Sequence, residues 1–212
     1  DRIFSICSYD YLDSLLLYNK TIKQRNIILK NNNPLFKKEK ELEIWDKPFC
    51  VNGLNLWQKR ETHMNSFIDL FLKTVADFDK NLLLNVKYDL KIKTNKEFLK
   101  KIKENRHIDL VKKYTSFGPH KDDVAFLWNN QKIKNHGSQG EHKIFLALLK
   151  ITEYIFLSNE TKKTPIFLID DMFANLDKER SKKLLRFIEK IKNDSKAVSY
   201  THLTLPTKLA VG

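Results

Sequence analysis

One run constrains this chain most: Ile166-Phe167-Leu168-Ile169-Asp170-Asp171, four unbroken apolar residues ending in two carboxylates. Its length and lack of alternation predict a strand buried on both faces, as in a parallel sheet. Carboxylates just past the C-terminal end of such a strand lie where open α/β sheets bind ligands. Upstream, Gly137-Ser138-Gln139-Gly140-Glu141 is a small-residue turn running into a helical pattern with apolar residues at Ile144, Leu148, Ile151 and Ile155. A serine hydroxyl, glycines that allow close backbone approach, free amides and the positive end of a helix dipole make an anion site suited to a phosphate. Downstream, Asn175-Leu176-Asp177 forms a tight polar turn before a helical stretch over residues 178–191.

A small-residue helix start is weak by itself, but the three signals in this order resemble the signature turn, Walker B strand and D-loop of ABC-type ATPases. Further residues narrow the resemblance to the RecF family of DNA replication and repair proteins. Tyr114-Thr115-Ser116-Phe117-Gly118-Pro119-His120-Lys121-Asp122-Asp123 is similar to its T-x-x-G-P-H-R-D-D segment, residues 137–141 to its G-S-Q-G-Q/E turn, and Asp170-Asp171 to its paired aspartates. Tyr18-Asn19, Gln24-Arg25-Asn26 and Trp45-Asp46 also match family positions. Departures are Asp1, Pro48, Lys121 in place of arginine, and Asn175 where the family usually has Glu or His.

The resemblance implies an α/β fold: part of an ABC-type ATPase head, a parallel-sheet fragment, with an inserted antiparallel helical lever arm. It implies ATP and Mg²⁺ as cofactors, with Asp170 holding the metal through water and Asp171 polarising the attacking water. Ser138, Gln139, Gly140 and Glu141 would contact the γ-phosphate of ATP held by a second subunit, and Asp177 would sit across that homodimer interface. The implied function is ATP-dependent DNA binding at single-strand gaps and on duplex, with loading of recombination machinery, RecR- and RecO-like partners and a place in the SOS response. Two other readings stay open: the head of another ABC-type repair or chromosome-structure ATPase, and a non-enzymatic helical DNA-binding or scaffold module. His120 has a plain reading too, as a satisfied histidine in a rigid turn.

The formal net charge of +13 favours nucleic acid or another anionic partner. Its basic residues are overwhelmingly Lys, however, and a lysine- and asparagine-rich composition also follows from an A/T-rich genome. Cys7 and Cys50 are far apart and in no metal-ligand spacing, which excludes a disulfide framework and a zinc hook. No apolar run approaches the roughly 18 to 20 residues of a membrane span, and no secretory signal opens the chain, so a cytoplasmic protein with no membrane partner is expected.

Along the chain, a helical pattern over residues 9–30 closes at Asn31-Asn32-Asn33-Pro34. Residues 37–51 suggest a shorter helix that Pro48 must start or break. A stripe from Trp57 through Met64, Phe67, Phe71 and Val75 to Leu82 predicts a second arm helix of about 40 Å. Strict alternation over residues 86–93 predicts a half-buried strand, Thr94 with Glu97 a capping box, and residues 124–128 and 131–134 a hairpin about Asn129-Asn130. The expected domains are a lever arm over 1–105 and the C-terminal part of the head over 106–197. Residues 198–212 resemble a translated sequencing adapter, so His202 is not read as a switch histidine.

The phosphate-loop pattern G-x-x-x-x-G-K-[ST] occurs nowhere in the chain. A C-terminal fragment that starts mid-protein is therefore expected, with half a nucleotide site. The chain alone should show no saturable Mg-ATP binding in isothermal titration; micromolar affinity would refute that expectation.

Overall fold

The computed structural model describes residues 1–88, 92–168 and 176–195. They fall into two compact units, each built from two stretches of chain: Asp1–Asp69 with Asn85–Leu127, and Leu70–Leu84 with Trp128–Gly212. Residues 106–127 group with the first helices, and residues 70–84 with the C-terminal ones.

The first unit opens with α1 (Arg2–Cys7) and α2 (Tyr9–Lys30). Ser8 between them accepts the Tyr11 amide at 3.2 Å, which satisfies one orphan donor of the new helix. Asn31, in extended conformation, ends α2 where the Asn-Asn-Asn-Pro stop predicts. The next helix, α3 (Leu35–Phe78), corrects the expectation of a break: it runs 44 residues straight through Pro48. Proline removes one ladder bond and leaves the carbonyl of Ile44 open. Ile44 is 72% exposed, so water can take that carbonyl, while Leu42, Phe49 and Leu56 on the other face are fully buried. Core packing outweighs the single lost bond. The helix also stops at Phe78, short of Leu82, because Asp79 turns the chain by accepting the Asn81 amide at 3.0 Å.

Strand β1 (Leu84–Lys87) is shorter than the alternation over 86–93 predicts; residues 89–91 lie outside the described residues. It pairs with β2 (Ala125–Trp128), which pairs in turn with β3 (Gln131–Lys132). Asn129 (φ 49) and Asn130 (φ 64) both take the left-handed conformation that a two-residue hairpin turn requires. Helix α4 (Asn95–Glu104) has the predicted Thr94–Glu97 capping box, and α5 (Arg106–Lys112) follows it.

In the second unit α6 (Ile133–His136) leads into α7 (Gln139–Thr161), which buries Ile144, Leu148 and Ile151 as the pattern predicts. Helix α8 (Lys178–Ser195) contributes Leu184, Phe187 and Ile188 to the same core. Phe71 meets Phe145, and Phe78 meets Phe187, both edge to face.

The buried strand expected over residues 166–169 is not formed in its described part. Residues 164–168 pair with no strand, and Ile166 and Leu168 are 77% and 76% exposed, while Phe167 turns against the ring of Tyr154. A two-faced strand exists only where neighbours take its backbone bonds and cover it. The described residues hold one sheet, β1-β2-β3, and it does not include this run. Asp170, Asp171, Asn175 and residues 198–212 lie outside the described residues.

Replacing Pro48 with Ala restores the missing donor on an exposed helix position. Urea unfolding followed by circular dichroism should show a gain of about 1 to 3 kcal/mol; no gain would mean that the helix has already relaxed around the proline.

Candidate functional site

The small-residue turn at residues 137–141 opens α7 as an N-cap. Ser138 Oγ accepts the Glu141 amide at 3.3 Å, and Glu141 Oε2 accepts the Ser138 amide at 2.8 Å, a reciprocal capping box. Two of the predicted ligand-contacting groups are thus engaged in their own helix. The amides of Gln139 and Gly140, in the first turn, have no intrahelical acceptor, and the Ser138 hydroxyl keeps its proton to donate. These donors sit at the positive end of a 23-residue helix and suit an anion.

Asp177 does the same for α8: its Oδ1 accepts the Arg180 amide at 2.8 Å and its carbonyl accepts the Ser181 amide at 3.0 Å. The two helix starts are neighbours. A Cβ added at Gly140 would lie 3.0 Å from Arg180 Nη1 and 4.0 Å from Leu176 Cδ2, so only glycine allows this approach without displacing a side chain. The structure therefore sets Gly140 of the predicted turn beside Leu176 and Arg180, the residues on either side of Asp177. Among the described residues no cluster of three or more His, Cys, Asp or Glu side chains is placed to hold a metal ion.

A second concentration of polar contacts lies in the first unit, where residues 114–123 thread past α2, α3 and α5. Gly118 has φ +141, a conformation side chains rarely adopt, and a Cβ there would meet the Tyr18 hydroxyl at 2.6 Å. The Pro119 carbonyl accepts Arg60 Nη1 at 2.7 Å. Asp122 Oδ2 accepts from Arg60 Nη1 (2.7 Å), Trp57 Nε1 (2.6 Å) and the Tyr88 hydroxyl (3.0 Å). Asn26 Oδ1 accepts both the amide and the hydroxyl of Thr115, at 2.8 and 2.9 Å. Asp109 Oδ1 takes the amide and hydroxyl of Ser116. Beneath this lies a buried charge cluster: Arg25 pairs with Asp46, Arg106 pairs with Asp46, and Arg25 Nη2 approaches Asp109 at 3.6 Å. Cys50 beside it is a thiol pushed up to about 12 by burial and by the charge of Asp46, which makes it unreactive.

His120 bridges the segment to α2. Its Nε2 lies 2.8 Å from the Thr115 carbonyl, an acceptor, so Nε2 carries the proton and Nδ1 accepts from the Tyr18 hydroxyl at 2.6 Å. His120 is thus the satisfied histidine of a rigid turn, and the segment is a structural tie, as are Tyr18, Arg25, Asn26 and Asp46.

No protein-family model matches the chain. It is 35% identical over 191 residues to the DNA replication and repair protein RecF of Azobacteroides pseudotrichonymphae genomovar. CFP2, covering 89% of this chain and 51% of that protein. The chain belongs to the RecF family. The RecF of Cytophaga hutchinsonii is 34% identical over 194 residues, covering 90% of this chain and 51% of its own length. Among solved structures, the "recombination mediator protein RecF-ATP in RecFOR pathway" superposes with a TM-score of 0.78 at 24% identity, over 98% of this chain and 56% of that one, which shows a common fold. The chain spans about half the length of the curated RecF relatives it matches.

Reading the sequence missed Arg60, Arg180 and the polar task of Trp57, which looked like one more residue of an apolar stripe. A usable signal was present. The chain has six arginines against 33 lysines, and four of the six, Arg25, Arg60, Arg106 and Arg180, form ion pairs. Where lysine is the default cation, arginine marks positions that need a planar fork.

Burial pushes the His120 imidazole below its ordinary 6.5. With the folded pKa below the unfolded one, the unfolded chain takes up the proton first, so stability should fall as pH drops below about 6.5 and level off below the folded pKa. The His120 ring should titrate below 6.5 by proton NMR, and a His120→Gln variant should lack this component of acid sensitivity. A ring that titrates at or above 6.5 would remove the assignment.

Proposed function

We propose that the chain is part of a RecF-type ATPase that binds DNA at single-strand gaps and on duplex when two copies close on ATP. In the whole protein it acts in the cytoplasm in replication, repair, recombination and the SOS response, loading recombination machinery with RecR- and RecO-like partners. Residues 1–105 serve as the lever arm and residues 106–197 as the C-terminal part of a parallel-sheet head. The observation that carries this reading is the adjacency in the second unit of the signature turn and Leu176-Asp177, with Gly140 backed against Leu176 and Arg180. Free first-turn amides and a hydroxyl donor fit a phosphate. They are offered on the same surface as a carboxylate-capped helix start, as a site completed by another subunit requires.

In this reading Ser138, Gln139, Gly140 and Glu141 form the wall that closes on the γ-phosphate of the partner's ATP, and Asp177 crosses the interface beside it. Mg²⁺, held through water by Asp170, neutralises charge developing on the phosphates, and Asp171 orients the attacking water. The net charge of +13 suits a nucleic-acid partner.

Ser138→Arg in the full-length protein tests this directly. Nucleotide binding should stay near normal while ATP-dependent dimerisation and hydrolysis collapse. Mixing it with a variant lacking the phosphate-loop lysine should restore part of the ATPase activity, because each heterodimer then has one site free of both defects. If heterodimers form and the mixture stays inactive, Ser138 does not act in trans.

A further inference from the structure

We infer that Arg180 is a positioning residue that couples the Asp177 turn to the signature turn, so that both meet a partner's nucleotide as one surface. This rests on the trans site proposed above. The Arg180 side chain pairs with Asp177 through Nε, 3.4 Å from Oδ2, while its backbone amide, a group that any residue here would supply, donates to Oδ1 at 2.8 Å. Its Nη1 is then carried to within 3.0 Å of where a side chain at Gly140 would begin. One guanidinium thus spans from the cap of α8 to the first turn of α7.

Neither local stability nor charge explains the residue. A cation in the first turn of a helix opposes the helix dipole. The Arg180–Asp177 pair is half exposed on both sides, 50% and 56%, and such pairs contribute little. Lysine, the common cation of this chain, stands at Lys182 and Lys183 in the same helix, and Lys183 pairs instead with Asp79. What lysine lacks is a rigid fork that can hold a carboxylate with one nitrogen and place another against a neighbouring backbone. Arg180 faces Gly140, where the missing side chain leaves room for that fork.

A double-mutant cycle on Gly140 and Arg180 in the full-length protein tests the coupling. Arg180→Ala should leave ATP affinity unchanged and lower hydrolysis by about 10-fold to 10²-fold, the range expected when reacting groups are held slightly out of place. Arg180→Lys should fail to restore the rate. Gly140→Ala should be harmful beside Arg180 yet add little once Arg180 is Ala, because its methyl acts by displacing the guanidinium. Without nucleotide, exchange of the hydrogen-bonded amides of Ser138, Glu141 and His142 should quicken in Arg180→Ala. Additive losses, full rescue by lysine, or unchanged exchange would each overturn the assignment. Absence of ATP-dependent dimerisation in the unmutated protein would sink the trans reading instead, with exchange still deciding whether Arg180 holds the turn.

Discussion

A guanidinium removed from water must be matched by charge, and the first unit is arranged around that requirement. Arg25 is fully buried, its cation lying 4.9 Å from the Phe49 ring centroid and pairing with Asp46, while Arg106 and Asp109 complete a set of two positive and two negative groups. Removing one member of such a set leaves an uncompensated charge, at a cost of about 3 to 5 kcal/mol. The partners come from α2, α3 and α5, elements distant in sequence, so satisfying Arg25 draws them together. Asp109 then reaches Ser116, and the chain beyond Ser116 delivers His120 to Tyr18 and Asp122 to Arg60. Each tie is made by a side chain whose alternative is an unpaired buried polar group.

The second unit follows a different logic. Its core is aromatic and aliphatic, and its polar chemistry is gathered at two helix starts. Capping by Ser138 and Asp177 makes those starts rigid with hydrogen bonds internal to each turn, and first-turn amides are left over because a helix always has more orphan donors than one cap can satisfy. A stable cap therefore still leaves amide donors at the start of the helix. Among the described residues no helix is long and apolar enough to cross a membrane.

Periodicity exposed the helices well, because a buried stripe at 3.6-residue spacing is a local property: α2, α7 and the Thr94 capping box appear where the residues place them. It failed at Pro48 and at residues 166–168, for one reason. Whether a proline breaks a helix, or an apolar run becomes a strand, depends on neighbours. The packing of Leu42, Phe49 and Leu56 holds α3 through its missing bond. Ile166 and Leu168 stay exposed with no paired strand beside them among the described residues, in a chain that spans about half the length of its relatives.

By itself the sequence determined family membership and the local chemistry of the turns. Gly137 to Glu141, the Gly118-Pro119-His120 segment and Asp177 announce themselves through residue types whose conformational and capping preferences are intrinsic. Only the tertiary structure decided what those residues touch. It turned His120 and Asp122 from markers into ties to Tyr18 and Arg60, and it set Gly140 against Arg180 across 40 residues of sequence. The physical reason is that buried charge and close backbone approach are satisfied by partners far along the chain, and no local pattern encodes which partner will arrive.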